Sequence, residues 1–328
     1  MKTLSVTFVN VGYGEAILIE CPDPKARNGT YTMLIDGGSG EAAEYAGNTS
    51  GRIPLVNYLR RRGVSHIDLL VSTHIHEDHL CGLMPVTVGI SPAEYWQTMP
   101  TAFCREMKPI DEREATTPSM EKFIRSINDY RSLCERVEAA GGRIRCMERG
   151  VPSMELTSGL LCHILAPGTN NQLQYDGLRT LNTAKTVEER RRLLEWLDVR
   201  MNNCSLILML EFGGRRILLP GDTNRAGYEE LGGMDLHADI FKVGHHGQRD
   251  GADEDLIARV KPSYVVCCAS SDRRYESAHP GLLAMCEEKG AALYFSDCPS
   301  YREPVAPHHA LCFEIDEDGT IRAAYRNL

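Results

Sequence analysis

Positive charge is scarce in this chain of 328 residues. Lysine and arginine together number 36 against 45 aspartate and glutamate residues, which leaves a formal net charge of −9. Proteins that bind nucleic acid usually carry a basic surplus or a basic stripe, because contacts with phosphate supply most of their affinity. The arginine runs at 60–62 and 190–192 are interpreted as solvated helix faces. The composition therefore disfavours a protein that binds long duplex DNA.

Long apolar runs are missing as well. No stretch approaches the roughly 20 apolar residues that a membrane-spanning helix needs, and the first residues do not have the pattern of an export signal. Twelve cysteines are present, but no Cys-x-x-Cys pair offers a structural zinc site. We therefore expect a cytoplasmic protein with reduced cysteines and no association with membranes.

The remaining composition is that of an ordinary globular protein, with 42% hydrophobic and 25% charged residues. Strands are predicted at residues 4–8, 16–20, 32–35, 67–72, 206–212, 216–219, 239–243, 263–267, 292–295 and 311–315. Helical patterns occur among them, for example at residues 52–62 and 281–289. Two strand-rich halves, each with helices, predict an α/β protein in which two sheets pack face to face with helices outside.

The stretch from about 95 to 200 is the least regular part of the sequence. A helix is predicted from Ser119 to Ala140, where apolar residues recur at helical spacing between a proline and a Gly-Gly stop. A second helix is predicted to begin at Thr186, with Glu189 three residues later as a capping box. We interpret this stretch as a helical insertion over the site, within a single domain of residues 1–328.

A run of metal-ligand side chains follows the strand predicted at 67–72. Its sequence is His74-Ile75-His76-Glu77-Asp78-His79. Neutral imidazole and carboxylate are the donors that zinc and related divalent ions prefer. Four such donors in six positions cannot all face one ion from a regular helix or strand. We therefore expect a loop that directs the first two histidines to one ion, and Asp78 and His79 to a neighbouring ion. A histidine-rich surface loop is the alternative.

Two later segments repeat the pattern of a strand followed by polar residues. The apolar strand at 216–219 leads into Gly221-Asp222, where one carboxylate at a sheet edge would bridge two ions if it met the first loop. Taken alone, Gly-Asp is also an ordinary turn. The strand at 239–243 leads into His245-His246-Gly247. Two histidines beside a glycine favour a ligand over a purely structural role.

This ordered set resembles the motifs of the metallo-β-lactamase superfamily: His-x-His-x-Asp-His after a strand, then Gly-Asp, then a later histidine. Within the superfamily, the chain is most similar to the hydrolase domain of ComEC-type competence proteins and its free-standing relatives, which include the phosphorylcholine esterases. The similarity spans about residues 6–300. Besides the histidine run, it is carried by the segments Phe8–Ala16, Leu34–Gly38, Asn202–Leu206, Gly221-Asp222, Val243–Gly247 and Ala278–Pro280.

The resemblance implies an αββα sandwich with two divalent metal ions at one edge. The ions are expected to be zinc, with manganese and iron as alternatives. The implied metal ligands, in chain order, are His74, His76, Asp78, His79, Asp222 and His245. The first two would hold one ion, the next two would hold its neighbour, and Asp222 would bridge them. His246 would complete a metal shell or contact the substrate, and Asp36 would hold a ligand imidazole or orient Asp78.

Several positions depart from the family pattern. The branch usually has aspartate where this chain has Asn10 and Glu15, so an acidic role there is in doubt. Many superfamily members place a histidine ligand before the Gly-Asp strand, where this chain has Asn202 and Asn203. The first ion therefore lacks one expected ligand. His279 would compensate for it or stabilise a leaving group, with a structural role as the alternative.

The implied chemistry is hydrolysis by a metal-bridging hydroxide. Asp78 would orient this nucleophile, and His246 and His279 are the candidates for stabilising charge on the substrate. The branch favours phosphodiesters, and the acidic composition favours a small phosphodiester or a single-stranded nucleic acid as substrate. The alternatives are a carboxylic ester, lactone, lactam or thioester hydrolase of the same fold, or a non-catalytic member that senses a metal or ligand. No obligatory protein partner is expected.

Overall fold

Fifteen strands within the described residues build the framework of the molecule. The structure is a computed structural model that describes residues 2–168 and 170–328. The strands are β1 (Thr3–Val9), β2 (Ile17–Pro22), β3 (Thr30–Ile35), β4 (Ile67–Val71), β5 (Pro92–Gln97), β6 (Arg143–Cys146), β7 (Met154–Thr157), β8 (Leu160–Ala166), β9 (Ile207–Phe212), β10 (Arg215–Leu219), β11 (Ile240–Lys242), β12 (Tyr264–Cys267), β13 (Ala292–Phe295), β14 (Ala310–Asp316) and β15 (Ile321–Arg326). Each predicted strand therefore has a counterpart.

Helices of very different length connect these strands. They are α1 (Ala42–Tyr45), α2 (Leu55–Arg62), α3 (Glu77–Leu80), α4 (Leu83–Gly89), α5 (Phe103–Glu106), α6 (Pro118–Ala139), α7 (Asn170–Thr183), α8 (Val187–Met201), α9 (Arg225–Tyr228), α10 (Glu254–Val260) and α11 (Pro280–Glu288). Short 3-10 turns lie at Arg27–Gly29, Glu112–Glu114, Asn202–Cys204, Glu229–Leu231, His245–Gly247 and Arg274–Glu276. None of the described helices has the length and apolar character required to cross a bilayer.

The two longest helices begin where the sequence signals place them. At α6, the side chain of Thr117 accepts a hydrogen bond from the backbone N–H of Met120, and a proline occupies the first turn. At α8, Thr186 accepts from the backbone N–H of Glu189, as a capping box requires. Both helices bury an apolar face against the first sheet and its neighbouring helices. The predictions of these two helices are confirmed.

The strands form two mixed sheets. The eight-stranded sheet has the order β15-β14-β1-β2-β3-β4-β5-β6, and the seven-stranded sheet has the order β13-β12-β11-β10-β9-β8-β7. Strands β3 to β6 run parallel in the first sheet, and β10 to β13 run parallel in the second. The other neighbours in both sheets are antiparallel.

Strand β9 shows how the layers are held together. Its side chains alternate, so that Leu208 and Leu210 pack between the two sheets while Ile207 and Met209 pack beneath α10 and α11. Because both faces of the strand are covered, its sequence is an almost unbroken apolar run. A separate apolar cluster lies between the eight-stranded sheet and α2, α4, α6 and α8. The layers are therefore helix, sheet, sheet and helix, and the predicted αββα sandwich is confirmed.

The stretch from 95 to 200 contains more than helices. It supplies α5 to α8, but it also supplies β6 at the edge of the first sheet and β7 and β8 at the edge of the second. Strand β6 is charged and half exposed, because it pairs on one side alone. That edge position explains why its sequence lacks the apolar pattern of the central strands. The helical insertion over 95–200 is thus interleaved with sheet edges, and the single-domain assignment stays a prediction.

The carboxyl ends of several parallel strands meet at one edge of the sandwich. Asp36 follows β3, His74 follows β4, Asp222 follows β10, and His246 follows β11. Ligand sites in α/β proteins commonly lie outside the carboxyl ends of parallel strands. This edge is where the motifs found in the sequence come together.

Candidate metal centre

Four of the sequence-predicted site residues converge on one point. Asp78 and His79 come from α3, Asp222 comes from the turn after β10, and His246 comes from the turn after β11. One ligand atom from each lies within 4.8 Å of the others, in a group able to hold a metal ion. The side chains of His79 and His246 are fully buried, and that of Asp222 is nearly so.

The distances within this four-residue cluster are short. Nε2 of His246 lies 2.8 Å from Oδ2 of Asp222 and 3.0 Å from Oδ2 of Asp78. Nε2 of His79 lies 3.3 Å from the same Asp222 oxygen and 3.3 Å from Nε2 of His246. Two imidazoles and two carboxylates aimed at a common centre are a donor set suited to a divalent cation.

His74 and His76 form a second pair beside the cluster. Nε2 of His74 lies 3.0 Å from Nδ1 of His76, and the rings of His74 and His79 are 4.3 Å apart between centroids. The first two histidines of the run therefore face each other next to the other four donors. We call this pair, with the adjoining Asp222, the first half-site, and the four-residue cluster the second half-site.

The outer nitrogens of three of these imidazoles are held by the surrounding structure. The contacts are His79 Nδ1 with Asp36 Oδ2 at 2.7 Å, His246 Nδ1 with the carbonyl oxygen of Cys268 at 2.8 Å, and His74 Nδ1 with Thr73 Oγ1 at 3.0 Å. Each contact leaves the other ring nitrogen directed at the centre. Metal-ligating histidines are commonly oriented in this way by a partner on the second nitrogen.

Asp36 organises two parts of the site at once. Besides contacting His79, its carboxylate accepts hydrogen bonds from the backbone N–H of Thr73 at 2.7 Å and from Oγ1 of Thr73 at 2.6 Å. Thr73 immediately precedes His74. The one buried carboxylate thus fixes the start of the histidine run and the ring of its last member, which is one of the two roles expected from the sequence.

A buried lysine lies behind Asp222. Lys242, at the end of β11, is fully buried, and its Nζ donates to the carbonyl oxygen of Gly221 at 2.7 Å. It also lies 3.3 Å from Oδ1 of Asp222 and forms an ion pair with the buried carboxylate of Glu15. The sequence left the direction of Lys242 open, and the structure turns it inward. Glu15, which departs from the family pattern, is its partner.

These contacts displace the pKa values of the site residues. Burial opposes the charged form of His246, but the Asp222 carboxylate and hydrogen bonds to both aspartates outweigh it and raise its pKa to about 9. Against the same burial penalty, Asp222 and Asp36 raise the pKa of His79 well above its usual value. The pKa of Asp222 is held well below its usual range despite its burial, because His246, His79 and Lys242 surround it. Protons on the imidazoles therefore balance the carboxylates wherever no metal does so.

The two neighbouring histidines after β11 point in different directions. His246 enters the second half-site, whereas Nδ1 of His245 lies 2.8 Å from Oδ1 of Asp250. Both residues have positive φ, 47° and 51°, so two successive left-handed residues turn the chain sharply here. The sequence analysis named His245 as the late ligand and His246 as the alternative. The structure brings His246, and not His245, to the other donors, while His245 lies on the wall of the adjoining cavity.

His279 lies outside both half-sites. It precedes α11, and its backbone N–H donates to the carbonyl oxygen of Gly247 at 2.8 Å. Its side chain lines a neighbouring cavity of 640 Å³, and its buried Nδ1 has no hydrogen-bond partner among the described residues. The structure thus does not place His279 where it would replace the missing ligand of the first ion, and its catalytic role stays a prediction.

A cavity of 280 Å³ opens above the two half-sites. Asp78, His76 and Asp222 line it, and the ring of Tyr13 packs on His246 with 4.5 Å between centroids. Oη of Tyr13 accepts a hydrogen bond from Nε2 of Gln248 at 3.1 Å. The remaining lining residues are Ser39, Glu44, Glu77, Ser119, Lys122, Phe123, Asp198, Asn202, His245, Gln248, Arg274 and Tyr275. The donors are therefore accessible from solvent through a mixed polar and aromatic mouth.

The glycine-rich turn after β1 is required by the approach of α3. Gly14 has φ of +136°, and a Cβ at this position would lie 2.4 Å from the carbonyl oxygen of Asp78. That oxygen also accepts a hydrogen bond from the backbone N–H of Glu15 at 3.1 Å. The turn therefore supports the backbone of a metal-ligand residue.

Some residues of the site were missed in the sequence. Thr73 and the carbonyl oxygen of Cys268 position imidazoles, and Oγ of Ser205 accepts from the backbone N–H of Asp222 at 3.0 Å. Ser205 lies in the Asn202–Leu206 segment that carried the resemblance, so its motif was a usable signal. A carbonyl oxygen has no sequence signal at all, since every residue has one.

The fold and the site together define a class of protein. The family model of the metallo-beta-lactamase superfamily matches residues 9–97, which include the whole histidine run. The αββα sandwich, the order of the motifs and the convergence of their side chains agree with that match. The resemblance inferred from the motifs is confirmed: this chain is a metal-dependent hydrolase of the metallo-β-lactamase superfamily.

Its similarity to particular proteins is more distant. The chain is 21% identical to ComE operon protein 3 of Bacillus subtilis (strain 168) over 333 residues, an alignment that covers 98% of this chain and 33% of that protein. It therefore spans about a third of the length of this relative. Among solved structures, a diphosphatase from the PhnP family has 13% identity and a TM-score of 0.40, covering 93% of this chain and 100% of that one. AidC, a dizinc quorum-quenching lactonase, has 11% identity and a TM-score of 0.37, covering 96% and 80%.

Proposed function

We propose that this protein is a phosphodiesterase with a dinuclear metal centre, acting on a small phosphodiester or on single-stranded nucleic acid. The observation that carries the proposal is the convergence of Asp78, His79, Asp222 and His246 on one point at the floor of an open cavity. The similarity to a ComE operon protein supports a phosphodiester over other substrates.

The donor set fits two divalent ions. The second half-site offers two imidazoles and two carboxylates, and the first offers His74, His76 and a share of Asp222. The outer nitrogens of three of the four imidazoles are held by hydrogen bonds, so the inner nitrogens are directed at the centre. When bound, such ions activate a water molecule as nucleophile and neutralise negative charge on the substrate.

The protein's own residues set the geometry for this reaction. Lys242 and the hydroxyl of Ser205 hold Asp222 from behind, so its carboxylate is fixed between the two half-sites. Asp78 is the carboxylate of the second half-site that also lines the cavity, where it would orient the attacking water. Tyr13 covers one face of His246 and limits access of solvent to that ring.

The shape of the cleft supports a diester. The 280 Å³ cavity over the metal ligands shares Gln248 and Tyr275 with the 640 Å³ cavity beside it. A substrate with a substituent on each side of a central phosphate would extend across both. Lys122 and Arg274 line the first cavity and would face a phosphate there, although each is also paired with a carboxylate.

Turnover of bis-p-nitrophenyl phosphate by the metal-loaded protein tests the proposal. We expect hydrolysis that is abolished in His246→Ala and retained in Asp235→Asn, which alters an exposed aspartate paired with Arg216. A single-stranded oligonucleotide should also be cleaved. Turnover of p-nitrophenyl acetate or a lactone without any phosphodiester turnover would reject the phosphodiesterase in favour of a carboxylic ester hydrolase. Tight metal binding without turnover of any ester would favour the sensing protein.

A further inference from the structure

The first half-site is short of one donor as judged from the sequence. His74 and His76 face each other, and Asp222 adjoins them, but the segment where many relatives have a third histidine contains Asn202 and Asn203. A zinc or manganese ion held by three protein atoms would need a further ligand from solvent or from the protein. The structure therefore raises the question of which group beside this pair is free to bind.

The two asparagines have different surroundings. Oδ1 of Asn203 accepts a hydrogen bond from the backbone N–H of Asn224 at 3.2 Å, so this side chain ties the end of α8 to α9. Asn202 instead lines the cavity over the metal ligands. Its Oδ1 is shielded from solvent and has no hydrogen-bond partner among the described residues. A buried carbonyl oxygen without a partner is unfavourable unless something occupies its lone pairs.

A carboxylate lies one helical turn before Asn202. Oδ1 of Asp198 is 3.2 Å from Nε2 of His76, and its Oδ2 accepts a hydrogen bond from Oγ of Ser119 at the start of α6. Residues four apart share a face of a helix, so Asp198 and Asn202 are presented to the cavity together. Nε2 of His76 is buried and has no aligned hydrogen bond, which leaves Asp198 as its neighbour.

The contacts of His76 give Asp198 a definite task. Nδ1 of His76 faces Nε2 of His74 at 3.0 Å, on the side of the metal donors, while Nε2 faces the carboxylate. A carboxylate that accepts the Nε2 proton leaves the lone pair on Nδ1 and fixes the ring. This is the arrangement that Asp36 gives to His79 in the second half-site. It makes Asp198 a positioning residue and not a ligand.

We propose that the carboxyl end of α8 completes the first half-site, with Oδ1 of Asn202 as the donor that replaces the missing histidine and with Asp198 orienting His76. This inference rests on the dinuclear centre of the proposed function and assigns ligands within it. An amide oxygen is a harder and weaker donor than an imidazole. The first half-site is therefore the weaker of the two and is filled second.

Calorimetric titration of the metal-free protein with Mn²⁺ and with Zn²⁺ tests the assignment. Wild type should bind two equivalents in two steps. Asn202→Leu should bind the first equivalent normally and the second roughly 10–100-fold more weakly, and Asp198→Asn should weaken the same step by about tenfold. Asn202→Asp, which supplies a carboxylate oxygen, should keep the second equivalent. Glu195→Gln, on an exposed position of α8, is the matched control and should titrate as wild type.

The outcomes separate this assignment from the proposed function. Two unchanged equivalents in Asn202→Leu would overturn it, as would loss of the second step in the Glu195→Gln control. If Asn202→Leu loses both equivalents while Asn202→Asp keeps both, Asn202 is still needed for the metal and the assignment holds. Binding of a single equivalent by wild type would overturn the dinuclear centre and this assignment together. Normal two-step binding without phosphodiester turnover would overturn the proposed function and leave the assignment standing.

Discussion

Replacing Lys242 with methionine would leave a buried carboxylate without its partner. Lys242 and Glu15 are both completely buried, and Lys242 also contacts Gly221 and Asp222 behind the metal centre. Methionine keeps most of the length and apolar volume of the lysine stem. The main effect of the Lys242→Met change is therefore electrostatic, because two carboxylates lose a common cation.

The size of the effect follows from that loss. Breaking a buried ion pair by removing one partner costs about 3–5 kcal/mol, against a total stability of about 5–15 kcal/mol for a typical domain. Burial already raises the pKa of Glu15 and Lys242 opposes this, so the variant's Glu15 takes up a proton more readily. Its folded pKa then lies further above the unfolded value. A carboxyl group of this kind destabilises the fold above its unfolded pKa and does so less as the pH falls.

Urea unfolding of the metal-free protein measures the effect. We expect Lys242→Met to lose about 3–5 kcal/mol at pH 8 and less at pH 5. Adding Glu15→Gln to Lys242→Met should restore most of the loss, because no uncompensated charge then remains at this position. A loss below about 1 kcal/mol, or a double variant no more stable than Lys242→Met, would refute the reasoning.

Three further changes test other parts of the structure. Asp36→Asn should weaken metal binding roughly 10–100-fold by calorimetry, because His79 loses the carboxylate that orients it; unchanged affinity would contradict that role. Metal binding at pH 7 should release protons and strengthen as the pH rises, because the pKa of His246 is about 9 and that of His79 is also raised. Titration heats that do not depend on the ionisation enthalpy of the buffer would refute this. Leu208→Ala should cost about 2–5 kcal/mol in urea unfolding, since Leu208 is buried between the sheets; the exposed Val199→Ala is its control.

The layers of the fold could be predicted because the central strands are buried on both faces. Their sequences, such as β9 and β10, are continuous apolar runs that end in turn residues. The edge strands β6 and β7 pair on one side alone and carry charged or half-exposed residues. No local pattern distinguishes such segments from loops, so the sheet edges between 95 and 200 appeared only in the structure.

The metal centre divides in the same way. The histidine run is local, so its spacing at the end of a strand indicates metal chemistry directly. Which of His245 and His246 turns inward depends on two successive left-handed backbone conformations, which neither residue signals by itself. The inward position of Lys242 depends on Glu15, more than 200 residues away along the chain. Contacts of this kind come from tertiary packing and cannot be derived from spacing.

The central claim is that the six donors around Asp222 hold two metal ions, and metal content measures this most directly. Protein reconstituted with excess Zn²⁺ or Mn²⁺ and then freed of loose ions should retain two equivalents by elemental mass spectrometry. Asp222→Ala removes the carboxylate that both half-sites share and should retain less than one, while the exposed Asp235→Ala should retain two. Equal metal content in wild type and Asp222→Ala, or no retained metal in wild type, would contradict the account.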